Sequence, residues 1–454
     1  MTQATTKKKS LDGYELYLAE FSRIEERERA TAPAWLAELR RRAIEHFTQM
    51  GFPTLRDEGW RQTSLAPLLR QSFTASSEVD VEGARDAAAS YLFPQLTACV
   101  VAFINGRYAP EISTVGKLPE GVRVMNLGRA LSDDSTAVAT HLGRHAPHQS
   151  QAFVALNTAL HQDGAYIHVG RDLALEEPIH LLFFSTNGGG APTHDHVRNL
   201  IVLEENARAT VIESYAGQEG EVYFSTAVTE TVMAEGSHLD HYVVQEESTR
   251  AYHYMRHHIH QARASRFSTH TISLGGAWGR NEISPVLDGD QIESTLNGLY
   301  MLTGSQHLDN NTMFDHAKPH CNSTQVYKGI LDGNAHAVFT GKIMVRQDAQ
   351  KTDAVQSSKN LLLSDTAQVN AQPQLEIFAD DVRCTHGATI GQLDDDALFY
   401  LRSRGIDRET ARGLLTFAFA NEIIEQIKID PLREKLERLA ARRFRKSSPT
   451  EDAK

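Results

Sequence analysis

The sequence predicts a mainly β chain with helical ends, and three observations carry that prediction. Amphipathic spacing of helical period fills the first fifty residues. Short β-type runs punctuated by Gly, Asn and Asp fill almost three hundred residues after Leu96. Helical spacing then returns at Asp394.

At the N-terminal end, Leu11, Tyr14, Leu18, Phe21 and Ile24 recur one helical turn apart, with charged residues between them. Thr31-Ala32-Pro33 punctuates. A second helix carries Trp35, Leu36, Leu39, Ala43, Ile44 and Phe47 on one stripe, and Gly51 and Pro53 stop it. Residues 72–89 are polar and alanine-rich and read as a linker. The run 99–104 ends in Asn105-Gly106, a pair that tolerates the left-handed backbone of a tight hairpin turn. Further β-type runs lie at 179–184, 199–203, 209–213, 337–345 and 375–379, with turns such as Asn187-Gly188-Gly189-Gly190 and Leu331-Asp332-Gly333-Asn334 between them. Such a series permits a sandwich, a propeller or a solenoid; a coil repeat of about 20 residues is not legible.

After Asp394, Ala397, Leu398 and Leu401 form a short helix closed by Gly405. Asp407 is an N-cap for a helix over 408–428. That helix carries Leu414, Leu415, Phe417, Ala418, Phe419, Ile423, Ile424 and Ile427, more than one stripe, and is expected to be buried on two sides. Asp430-Pro431 starts a third helix, followed by a charged tail over 442–454. The expected divisions are a helical region and linker over 1–95, a β core over 96–392 and a helical region over 393–454.

The chain has 454 residues, 41% apolar and 23% charged, with net charge −12. An acidic balance argues against general nucleic-acid binding, which needs a basic footprint. Three cysteines, Cys99, Cys321 and Cys384, give no disulfide framework and fit a reducing compartment. No secretory signal and no apolar run long enough to span a membrane is read, so the expected location is cytoplasmic.

The sharpest chemical feature is Cys384-Thr385-His386. On a strand, residues two apart share a face, so thiol and imidazole would project side by side. Both suit iron, and a histidine can replace a cysteine as a cluster ligand. Two ligands do not complete a four-coordinate site, so the others must come from elsewhere, such as a second chain. Asp380 and Asp381 would raise the thiol pKa and Arg383 would lower it.

The run 380–406, the helix 414–427 and the N-terminal Asp57-Glu58-Gly59-Trp60-Arg61-Gln62-Thr63 together resemble the SufD family of iron–sulfur cluster assembly subunits. The N-terminal motif departs from the family pattern at Gly59, usually acidic, and Gln62, usually aromatic. The resemblance implies a right-handed parallel β-helix core flanked by α-helical N- and C-terminal regions. It implies a non-catalytic scaffold that pairs with a homologous SufB-type subunit and holds a SufC-type ABC ATPase on its C-terminal region, with a homodimer when isolated as a further state. A transient Fe–S cluster would be shared with SufB and not held by this chain alone. His386 matches the family's metal-binding histidine, and Cys384 the cysteine beside it at the same interface. The apolar helix residues Leu414, Leu415, Phe417, Phe419 and Ile423 are the expected partner dock. Gly387 and the absence of a cysteine over 364–373 set the chain apart from SufB. No G-x-x-x-x-G-K-[ST] occurs, which leaves ATP chemistry to a partner.

Other candidates are weaker. His194-Asp195-His196 follows Gly188 as in a cupin-like metal motif, but Leu200 and Ile201 stand where a glutamate is needed, and a polar loop is the plainer reading. The run from His253 to His260 reads as solvated or stacked histidines. Cys321, beside Pro319, and Cys99 read as structural, and 275–279 as a turn. A β-solenoid carbohydrate-active enzyme is the alternative function; it would normally carry an export signal and a groove of clustered acids.

Overall fold

The computed structural model describes residues 14–76 and 82–443. Leu11, the tail beyond Arg443, and the centre of the expected linker lie outside the described residues. The helices are α1 Glu15–Glu28, α2 Ala34–Met50, α3 Ala66–Leu69, α4 Arg85–Ala89, α5 Leu127–Asp133, α6 Ser135–His141, α7 Ala152–Leu160, α8 Asp395–Ser403, α9 Arg408–Ile424 and α10 Asp430–Arg443.

Between α7 and α8 the chain winds a β-solenoid of about eight turns. Each turn contributes one strand to each of two parallel sheets, and the strands within each sheet pair with those one turn before and after. Tyr223–Met233, for example, lies between Thr193–Leu203 and Tyr252–Gln261. His238 is in register with Arg208 and Arg266, 30 and 28 residues away. Alternation does the rest: one face of each strand points into the lumen, where Val211, Leu239, Phe267, Leu296, Tyr327 and Phe339 belong to one continuous apolar core. The first hairpin turns at Asn105 and Gly106, both with positive φ (52° and 71°), as their identities require.

The outer faces are covered separately. Tyr17, Ile24, Phe47 and Phe52 from the N-terminal region pack on Phe224, Tyr254 and Trp278 of one sheet. Ile423, Ile424, Leu432 and Leu436 from α9 and α10 pack on Tyr242, Ile272, Leu299 and Ile330 of the other.

Three expectations change. Residues 72–89 are tied into the fold at both ends, by a strand Thr74–Ala75 paired with Thr193–Leu203 and by α4. Helices α5 to α7 fall inside the stretch read as β; α7 is buried at eight of its nine residues and so lacks the polar face that gives a helix its period. And α9 buries Ala420, Ile423 and Ile424 on the solenoid while Leu414 stays exposed, so its apolar residues are only partly covered.

Candidate functional site

The solenoid ends at an open edge. Gln368–Ile377 and Arg383–Gly391 are the outermost strands of their sheets, each paired on one side only. Their other sides present backbone N–H and C=O groups to solvent, the condition that invites another strand. Apolar side chains stand open beside them: Ile377, Phe378 and Ile390 are 39%, 63% and 48% exposed.

Cys384 and His386 lie on Arg383–Gly391 in register with Ala354 and Gln356, both buried lumen residues. They therefore line the mouth of the lumen on one face, as the two-residue period requires. Cys384 is half-buried against the end of the lumen core. Burial, and then the Asp353 carboxylate on the neighbouring turn, push its thiol above the ordinary range. Asp381 instead pairs with Lys351. His386 is exposed because no further turn covers it, and nothing stands within 4 Å of where a Cβ on Gly387 would sit. Among the described residues, no three His, Cys, Asp or Glu side chains gather as a metal site.

The expected dock on α9 is only partly available. Leu414 is 47% exposed, and α8 adds Phe399 and Tyr400, 73% and 58% exposed. Leu415 is half-buried. Phe417 and Phe419 pack partly against the chain's own core, and Lys328 Nζ sits 4.1 Å from the Phe419 ring centroid. Ile423 is fully buried on the solenoid and cannot face a partner in this arrangement.

The N-terminal motif has a different task. Trp60 lies under Arg280, whose guanidinium carbon is 3.9 Å from its ring, and stacks near Trp278. Arg280 Nη1 donates to the Gly59 carbonyl, and Thr63 Oγ1 donates to Asp309 Oδ2 at 2.6 Å. A Cβ at position 59 would come no nearer than 3.8 Å to Arg280. Gln62 Oε1 accepts from Asn370, on the terminal strand. The motif thus clamps the N-terminal region to the solenoid and reaches its open end.

The histidine-rich segments lie on strands, the first of them buried and not a loop. His194 Nε2 lies 2.9 Å from Glu20 Oε2, and His194 Nδ1, His196 and Thr226 Oγ1 form a hydrogen-bonded relay at 3.0 and 2.7 Å. Asp195 faces the lumen, where Ser185 donates to it and burial raises its pKa to about 7. His253 meets Ser225 and Glu247, His257 meets Thr231, and His258 stacks with His145. Cys321 packs with its thiol 3.1 Å from the Gly289 carbonyl, and Cys99 is in the lumen core.

Comparison with known proteins decides the family. The model for the SUF system FeS cluster assembly SufBD core domain matches residues 184–419, and the model for the SufBD protein N-terminal region matches 12–181. The chain belongs to the SufBD family. It is 33% identical over 414 residues to the iron–sulfur cluster assembly SufBD family protein slr0076 of Synechocystis sp., covering 89% of this chain and 90% of that one. It is 32% identical over 398 residues to the iron–sulfur cluster assembly protein SufD of Escherichia coli, covering 87% and 90%. Protein ABCI7, chloroplastic, of Arabidopsis thaliana is 31% identical over 325 residues, covering 70% and 68%. The family assignment carries iron–sulfur cluster assembly with it, and no described helix is long and apolar enough to cross a membrane.

Proposed function

We propose that this chain is a cytoplasmic, non-catalytic scaffold subunit that completes an Fe–S assembly site only when its open end meets a homologous SufB-type solenoid. The observation that carries this reading is the coincidence of two unpaired strand edges with Cys384 and His386 at the same lumen mouth. A solenoid of the same strand spacing can add its own edge strands there by main-chain hydrogen bonds and cover Ile377, Phe378 and Ile390. Two donors are too few for iron or a cluster, so the partner supplies the rest, and the cluster is cargo shared across the joint. His386 is the metal-binding residue of this chain. Cys384, held as a thiol by burial and Asp353, serves beside it. Leu414, with Phe399 and Tyr400, forms the dock for a SufC-type ABC ATPase, flanked by Leu415, Phe417 and Phe419.

Purification of the tagged full chain from its own cells tests the assembly. A second SufBD-family chain and an ABC-type ATPase should co-purify. Recovery of the chain with neither, alongside activity on a polysaccharide, would overturn the reading in favour of a carbohydrate-active solenoid. In cells lacking another cluster pathway, His386→Ala should leave the complex intact and abolish cluster supply.

A further inference from the structure

Gln356 lies one turn inside the open edge, in register with His386. It is 2% exposed, and its amide is held from the inner side. Gln356 Nε2 donates to Gln325 Oε1 at 2.8 Å, and Gln325 Nε2 donates to Thr312 Oγ1 on the opposite sheet. With its nitrogen committed to Gln325, the Gln356 amide leaves Oε1 on its other side, and that oxygen has no hydrogen-bond donor among the described residues. A buried carbonyl oxygen without a donor is costly and uncommon. Room for the amide is kept by Gly341 across the lumen, where a Cβ would come within 2.3 Å of Gln356 Nε2. The next lumen-side residue outward on this register is His386.

We infer that Gln356 is the positioning residue for His386: its unspent Oε1 accepts the N–H of one imidazole nitrogen, fixes the tautomer and leaves the other nitrogen's lone pair free for metal. A histidine that binds metal ordinarily donates its second ring N–H to a carboxylate or carbonyl oxygen, which sets its orientation and strengthens it as a ligand. The chain from Thr312 through Gln325 turns the Gln356 amide so that an acceptor, not a donor, is offered outward. The inference rests on the reading of His386 as a metal-binding residue.

Cobalt(II) is a suitable probe, titrated into the full chain assembled with its SufBD-family and ATPase partners and followed by ligand-field absorption. His386→Ala should remove the His386-dependent bands. Gln356→Met, which keeps the volume and removes the acceptor, and Gly341→Ala, which displaces the amide, should each weaken cobalt binding by about 10–100-fold. Gln356→Glu keeps an oxygen in place and should retain affinity near that of the unaltered protein. Unchanged affinity in both Gln356→Met and Gly341→Ala would overturn the positioning role while the His386 reading stands. Equal losses in Gln356→Met and Gln356→Glu would assign Gln356 to packing instead. Unchanged cobalt bands in His386→Ala would overturn both readings.

Discussion

Trp60 and Arg280 illustrate what single residues do here. The indole packs against Phe153 and Trp278 and carries the Arg280 guanidinium on its face. Arg280 is almost fully buried and is paired with Glu282 at 2.7 Å and with Asp309. Trp60→Ala therefore removes an aromatic contact and a desolvated cation–π contact, and should cost about 2–4 kcal/mol. Arg280→Met should cost about 3–5 kcal/mol, because it leaves Asp309 buried without its cation. Denaturant midpoints check both, and an unchanged midpoint for Trp60→Ala would mean that the motif is not a clamp. The resemblance singled this motif out, but nothing in its spacing told where it docks, since Arg280 and Asp309 lie over two hundred residues away. Cys384 and His386 were legible for the opposite reason: their relation is local and depends only on the strand period. The groups that condition them, Asp353 and Gln356, come from the previous turn and leave no local trace.

At the scale of elements, the ends of helices were the most readable features. Asp407 accepts from the backbone of Glu409 and Thr410, as its place before α9 predicts, and Gly51 and Gly405 take positive φ beyond α2 and α8. The solenoid period was not readable, for two physical reasons. The turn is nearer 30 residues than 20, since His238 and its register partners lie 30 and 28 apart. And one lumen position is filled in successive turns by Val211, His241, Thr269, Leu296, Gln325, Gln356 and His386. Parallel pairing asks for extended backbone and a fitting volume, and chemically dissimilar residues meet both demands. On α9, the exposed and buried apolar residues separate docking from folding. Leu414→Glu should leave stability within about 0.5 kcal/mol and lose the ATPase on co-purification. Ile423→Ala should cost about 2–5 kcal/mol by opening a cavity against the solenoid. If Leu414→Glu retains the ATPase, the dock lies on another face.

Across the whole molecule, stability should depend on imidazoles kept neutral by burial, most of them where helices and loops cover the solenoid's outer faces. Burial lowers His180, His258 and His307 to about 3, and His148, His270 and His316 to about 4, against an ordinary value near 6.5. The sign follows from proton counts. Below pH 6.5 the unfolded chain takes up protons at these rings and the folded chain does not, so the stability they contribute is present above about 6.5 and is lost as pH falls toward 3–4. For the fully buried His180 alone the loss between pH 7 and pH 5 is about 2 kcal/mol. Asp195 works the other way: its raised pKa of about 7 makes its contribution full at low pH and lost as pH rises through 7. Asp163 and Asp309 are shifted in the same direction by burial, but more imidazoles are lowered than carboxyls are raised. The guanidinium midpoint should therefore fall steadily from pH 7 to pH 5, well before the exposed carboxylates titrate. A flat profile over that range would mean that protons reach these rings without unfolding the chain.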